Sequence, residues 1–195
     1  RFKSFSGLKE YKAQTTEMGF DPYNLIRIFR SMSYQLGETV SDLLDNCIDA
    51  SATEVKVSYG LIESGAFLII NDNGKGLNEN EIDESMSLGS NRTRKDSDLG
   101  KFGIGMKLSS MTHANTITLI SKKTGEKAAI RTISYKHIEK TKKVELLKHT
   151  NKDLVGILSA SGIVKNLYSD INSYGSTLIL TDFRKDYDFK LVEHK

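Results

Sequence analysis

Asp42-Leu43-Leu44-Asp45-Asn46-Cys47-Ile48-Asp49-Ala50 is the stretch on which the fold turns. On a period of 3.6 residues Val40, Leu43, Leu44, Cys47 and Ile48 form an apolar stripe, while Asp42, Asp45, Asn46 and Asp49 share the other side. The spacing predicts a helix over residues 38–50, and Asp42, Asn46 and Asp49 stand at i, i+4 and i+7 along one of its edges. Carboxylate, amide and carboxylate in line are hard oxygen donors suited to Mg²⁺ with its retained waters. No lysine or arginine interrupts them, so the repulsion between like charges goes unrelieved within the stripe. The bland alternative is the solvent face of an amphipathic helix. Cys47 sits on the apolar side among apolar or acidic neighbours, which suits a core thiol better than a reactive one.

Working outward, residues 22–32 also carry helical apolar spacing, and residues 54–59 alternate as a strand with Val55, Val57 and Tyr59 in step. The apolar run at 66–70 reads as a buried strand, and Glu63-Ser64-Gly65 before it suits an antiparallel hairpin. Directly after that strand comes Asn71-Asp72-Asn73-Gly74-Lys75-Gly76. This composition is ordinary for a turn. Its functional reading is that Asp72, at the end of a core strand, accepts a hydrogen bond from an exocyclic amine while Gly74 and Gly76 let backbone pass close to a flat ligand.

A helix is predicted at 78–88. After it, Gly100-Lys101-Phe102-Gly103-Ile104-Gly105-Met106-Lys107 opens a further helix through Met111. Glycines at a helix start let backbone amides and the positive helix end face a polyphosphate. The pattern is neither GxxxxGK[ST] nor a strand-led dinucleotide fingerprint, so a P-loop and a Rossmann site are excluded. Upstream, Ser90-Asn91-Arg92-Thr93-Arg94-Lys95 suits a basic lid over phosphates, or a plain surface loop. Strands are predicted at 116–121, 128–135 and 177–181, and residues 135–174 are the least legible. The sum is an α+β layout with one mostly antiparallel sheet and helices on a face.

Composition bounds the rest. The 195 residues carry 28 Lys+Arg and 25 Asp+Glu, a net charge of +3, with 38% hydrophobic and 27% charged residues. That is a globular chain able to bury roughly 70% of its unfolded surface, and its near-neutral balance argues against a dedicated nucleic-acid binder. The lysine cluster at 136–152 is interleaved with Glu139, Glu145 and Asp153 as a solvated face would be. One cysteine excludes an internal disulfide and favours a reducing compartment. The five-residue apolar run at 66–70 cannot span a bilayer, so no membrane role is expected. A single domain over residues 1–195 with its core at about 20–185 is expected, read as an N-terminal piece of a larger protein.

In order, these pieces resemble the GHKL family of ATP-binding domains: gyrase-type topoisomerases, ninety-kilodalton heat-shock chaperones, histidine kinases and MutL. Residues 42–50 resemble the N box, 72–76 the first glycine box, 100–107 the second, and Gly175-Ser176-Thr177 the closing glycine-threonine element. The run from Gly103 to Met111 is most similar to the MORC and MutL-like branches, and Gly89-Ser90-Asn91 to the start of their lid. The resemblance implies a two-layer α/β sandwich of the Bergerat type with a mixed, mostly antiparallel sheet. It implies ATP and Mg²⁺ as cofactors, with Asn46 coordinating the metal, Asp49 ordering the pocket, and Asp72 holding the adenine amine. Thr177 would support that amine through water, with Gly74 and Gly76 close to the base. Ser90, Asn91, Gly100, Lys101, Phe102, Gly103, Ile104, Gly105, Met106 and Lys107 would surround the phosphates.

Asp42 would be the general base, where hydrolytic branches place glutamate. The shorter side chain withdraws the carboxylate from the attacking water, and about 1 Å of misplacement costs about 100-fold in rate. Glu38, one turn earlier, is the alternative base. MORC-like and MutL-like proteins also complete the phosphate site with a lysine from a following domain, which is not recognisable here. The implied activity is ATP binding with slow hydrolysis, acting as a nucleotide-driven homodimerisation or conformational switch in the cytoplasm or nucleus, with nucleic acid reached only through further domains. The alternatives are a histidine-kinase-like phosphotransfer domain and a non-hydrolysing ATP-binding interaction module. For the former, His113, His137, His149 and His194 lie in no recognisable phosphoacceptor helix.

Overall fold

The computed structural model describes residues 19, 21–32, 34–62, 65–87, 105–150, 152–153, 156 and 175–184. In chain order these form α1 (Pro22–Ser31), α2 (Leu36–Asp49), β1 (Val55–Ile62), β2 (Gly65–Asp72), α3 (Glu79–Met86), α4 (Gly105–His113), β3 (Ala114–Lys122), β4 (Ala129–Ser134), α5 (Tyr135–Thr141), β5 (Leu147–His149) and β6 (Gly175–Phe183). The helix starts follow from capping chemistry. Asp21 accepts from the backbone N–H of Tyr23 at 2.9 Å, ahead of Pro22 in the first turn of α1. Asn78 and Glu81 satisfy each other's backbone N–H groups at the start of α3. In α2 the Glu38 carboxylate reaches back to the N–H of Gln35 at 3.1 Å, so the helix begins before the apolar spacing alone would place it.

The six strands form one sheet in the order β1-β2-β6-β3-β4-β5, and every pairing is antiparallel. The hairpin expected at residues 63–65 joins β1 to β2 with Ile62 opposite Gly65. Strand parity then sorts the core. Leu68, Ile70, Ile117, Leu119, Ile133, Leu178 and Leu180 face a layer to which all five described helices contribute, through Ile26, Leu43, Ile82, Met111 and Ile138 among others. Ile69, Ile120, Ile130 and Ile179 form a second buried cluster on the opposite face. The α+β architecture with helices layered on one face of an antiparallel sheet is therefore present as the sequence predicts.

Three readings change. β4 stops at Ser134, whose hydroxyl caps α5, so Tyr135 belongs to a helix and not to the predicted strand. α5 and β5 lie in the stretch that gave no pattern. Ile48, placed in the apolar stripe of α2, is 62% exposed, while Leu43 and Cys47 carry the contact to the core.

α4 runs into β3 without a loop, so its last carbonyls need partners. Arg30 supplies them, donating to the carbonyls of Met111 at 2.6 Å and Ala114 at 3.2 Å, with its guanidinium over the Tyr135 ring at 3.8 Å. Arg184 serves the Thr112 carbonyl at 3.3 Å. On the other side, buried Arg131 pairs with Asp83, and Lys148 meets the same carboxylate at 2.6 Å, fastening α3 over β4 and β5.

Two glycines are fixed by close backbone approach. Gly175 (φ +109) and Gly76 (φ +63) are left-handed, and a Cβ there would run into the carbonyl oxygens of Asp72 and Lys122 respectively. Gly125 is also left-handed (φ +80) but has open space around it. In denaturant unfolding, Gly175→Ala and Gly76→Ala should each lose about 3 kcal/mol or more. Gly125→Ala, which meets only the backbone cost, should lose about 1–2 kcal/mol.

Candidate functional site

Asp72 is the last residue of β2 and is only 7% exposed. Its even position in the strand turns it toward the helices, as Leu68 and Ile70 are turned. The backbone N–H of Gly74 donates to its carboxylate, 2.8 Å from Oδ1, and Ser176 lies directly across the strand pair. Burial pushes the Asp72 carboxyl above its usual range, with hydrogen bonding from Gly74, Ser176 and Cys47 acting against that shift. Burial, reinforced by the adjacent Asp72 charge, pushes the Cys47 thiol up to about 12. Cys47 is thus a buried donor, in keeping with the core reading.

One residue earlier on α2, Asn46 donates from Nδ2 to the Asp42 carbonyl at 2.7 Å, a contact that pins the amide and leaves Oδ1 directed away from that bond. Asp49 is half-buried and Asp42 is exposed. The Asp42 carboxyl is raised by partial burial, then by the charges of Asp45 and Glu38. Glu38 is engaged as the cap of its own helix. Among the described residues no group of three or more His, Cys, Asp or Glu side chains is placed to hold a metal. The α2 edge therefore fits Mg²⁺ carried in by phosphate oxygens, with Asn46 as the protein's donor, and not a caged resident ion.

In the closing element, Ser176 and Thr177 lie on opposite faces of the sheet. Thr177 is 2% exposed, and its hydroxyl accepts from Asn71 Nδ2 at 2.6 Å on the sheet face away from the helices, the face of Ile69 and Ile179. The hydroxyl beside Asp72 belongs to Ser176, directly across the strand pair and held by Ser121 Oγ at 2.8 Å. A shift of one residue in a strand changes faces. Ser176 and Ser121 were not singled out from the sequence. Parity with Leu178 and Leu180 was the signal available for Ser176.

The glycine box is built more by packing than by an open path for a ligand. The space a Gly74 side chain would fill holds the Cβ and carbonyl oxygen of Ala50, both at 2.8 Å, and the Lys75 N–H donates to that same carbonyl at 3.0 Å. Asn73 ties the turn to Thr53 and Glu54 through 2.9 Å bonds. Lys107, expected on the phosphates, is 1% exposed and donates from Nζ to the Ser87 carbonyl at the end of α3. Gly105 and Met106 begin α4, with nothing described of the Met106 side chain, and Ser90, Asn91, Gly100, Lys101, Phe102, Gly103 and Ile104 lie outside the described residues.

The arrangement therefore places a buried acceptor at the end of β2 and, on α2, a pinned amide and an exposed carboxylate. Over 110 residues the chain is 33% identical to Protein MICRORCHIDIA 1 of Arabidopsis thaliana, an alignment that covers 52% of this chain and 17% of that protein. The chain thus spans a small part of that relative's length. Residues 34–162, which hold the α2 edge, Asp72 and the start of α4, match the family model of the histidine kinase-, DNA gyrase B- and HSP90-like ATPases, and the chain belongs to that family of ATP-binding domains.

Proposed function

We infer that this chain is the ATP-binding domain of a larger protein, that it hydrolyses ATP slowly with Mg²⁺, and that it acts as a nucleotide-driven dimerisation or conformational switch. The observation that carries the reading is the Asp72 carboxyl group, buried at the end of β2 beside the C-terminal half of α2. A buried carboxylate acceptor suits the exocyclic amine of adenine and rejects the carbonyl that guanine carries at the same place. Asn46, one residue before Cys47 on the same helix, suits the phosphate end with its metal.

Bound Mg²⁺ would supply charge neutralisation for the phosphates and would be held through Asn46. Asp72 and Ser176 would orient the base, and Asp42 would accept the proton of the attacking water. The exposure of Asp42 and its raised carboxyl agree with a group open to water. The same exposure, with aspartate where hydrolytic relatives carry glutamate, favours a second reading in which nucleotide binding alone is the signal. Lys107, anchored to Ser87, ties the first turn of α4 to the end of α3. A nucleotide-driven change in how α4 sits against α3 would be the conformational output.

Millimolar ATP with Mg²⁺ should raise the melting temperature of the chain, and Asp72→Asn should abolish the rise. Ser176→Ala should diminish it, whereas Thr177→Ala should lower the starting stability and leave the ATP-dependent rise intact. If the wild-type chain folds and shows no rise, the reading fails. For turnover, Asp42→Asn should remove phosphate release while keeping ATP affinity within about threefold. Asp42→Glu, by restoring reach toward the water, should raise release by about 10- to 100-fold. Undetectable release from both the parent dimer and Asp42→Glu would select the binding-only reading.

A further inference from the structure

We propose that Ser121 is a positioning residue of the purine site, holding the Ser176 hydroxyl as a donor toward the ring nitrogen next to the exocyclic amine of the base. The inference rests on the ATP-binding reading above and deepens it. Asp72, Ser176 and Ser121 stand in one row across three adjacent strands, Asp72 of β2 opposite Ser176 of β6 and Ser176 opposite Ser121 of β3. Alternation with Ile70, Leu178 and Leu119 turns all three toward the helices. Asp72 and Ser121 are buried and Ser176 between them is half-buried, so a ligand that meets Asp72 meets the middle hydroxyl next. A further piece of chain arrives at Ser121 from the glycine turn. That turn is pressed on the end of β3, where a Cβ at Gly76 would lie 2.1 Å from the Lys122 carbonyl oxygen, and the Leu77 N–H donates to Ser121 Oγ at 2.8 Å.

Proton bookkeeping then sets the polarity of Ser176. A serine hydroxyl has one proton and two lone pairs, and Leu77 takes one lone pair of Ser121. The Ser121 proton has two acceptors in reach, Ser176 Oγ at 2.8 Å and the Gly175 carbonyl at 3.3 Å. The first is at the usual O–H···O distance and the second is beyond it, so Ser121 donates to Ser176. Ser176 thereby has an acceptor position filled and its own proton directed elsewhere. Along the row the site offers an acceptor, Asp72, and then a donor, Ser176. Adenine presents the matching order, an amine and then a bare ring nitrogen, whereas guanine presents a carbonyl and then an N–H. Without Ser121 the Ser176 hydroxyl turns freely, and binding has to pay for fixing it.

The test measures, on the full chain, the affinity for ATP relative to 1-deaza-ATP, in which that ring nitrogen is replaced by C–H. The wild-type chain should prefer ATP, and Ser121→Ala should reduce the preference about three- to tenfold by weakening ATP alone. Ser121→Cys, close in size and a weak donor, takes the place of Ser121→Ala should that variant not fold. A double-mutant cycle separates positioning from packing. Ser176→Ala alone should remove the preference, and adding Ser121→Ala to it should change ATP affinity by no more than about twofold. Equal affinity of the wild-type chain for the two nucleotides, equal weakening of both by Ser121→Ala, or additive losses in the cycle overturns the proposal while leaving the ATP-binding reading in place. No ATP binding by the wild-type chain overturns both.

Discussion

A carboxylate buried at the meeting point of α2, β2 and β6 constrains everything around it. Removing Asp72 from water costs several kcal/mol unless donors replace the lost hydration, and hydrogen bonds to a charged group are the strong kind. The donors must come from different elements, so those elements have to approach closely. β6 lies against the end of β2 at Gly175, where a side chain would strike the Asp72 carbonyl, and the turn after β2 lies against Ala50 at the end of α2. The crowding at Gly74 and Gly175 is the geometric consequence of bringing the turn, β6 and the end of α2 together around one side chain.

The sequence showed these elements to the extent that each carried its own periodicity. α2 was legible because Leu43 and Cys47 recur at the helical interval and are buried. β2 was legible because β-branched and aliphatic residues run together between turn residues. α5 was not, because in seven residues a single side chain, Ile138, is fully buried and the rest are polar. β5 is three residues long and exists through its pairing with Ile130, Arg131 and Thr132 of β4, a fact that no local pattern can contain.

Periodicity also tells which residues share a face without telling what covers that face. Val55, Val57, Tyr59 and Leu61 alternate as expected and point the same way as Leu68 and Ile70 through the β1–β2 register. β1 is the edge strand, and the helix layer packs on Val55 only, leaving Tyr59 62% and Leu61 74% exposed. Ile48 departs from the core for a related reason: an apolar stripe five residues wide exceeds the part of α2 that touches the sheet. Thr177 shows a different limit: residue type alone does not tell it from Ser176, and it is the strand's alternation with Leu178 and Leu180 that turns Ser176 toward the helices and Thr177 away from them.

The carboxylates along α2 and at its end divide by environment, and the division has a chemical sense. Asp72 is enclosed, and on the proposed reading it would discriminate because an unmatched partner would leave a buried acceptor unsatisfied. Asp42 is exposed, carries a carboxyl raised by partial burial and by Asp45 and Glu38, and can exchange protons with water as Asp72 cannot. A recognition group gains from fixed donors and a proton acceptor gains from access, so one helix can serve both ends of a nucleotide only if its two ends sit in different dielectric surroundings. α2 meets this condition because its C-terminal half is pressed against the sheet at Cys47, while the turn bearing Asp42 and Glu38 stays open to water. On the proposed reading, the depth gradient along this single helix would separate binding from turnover, and a shortened side chain at position 42 would slow the chemistry without disturbing the site that holds the base.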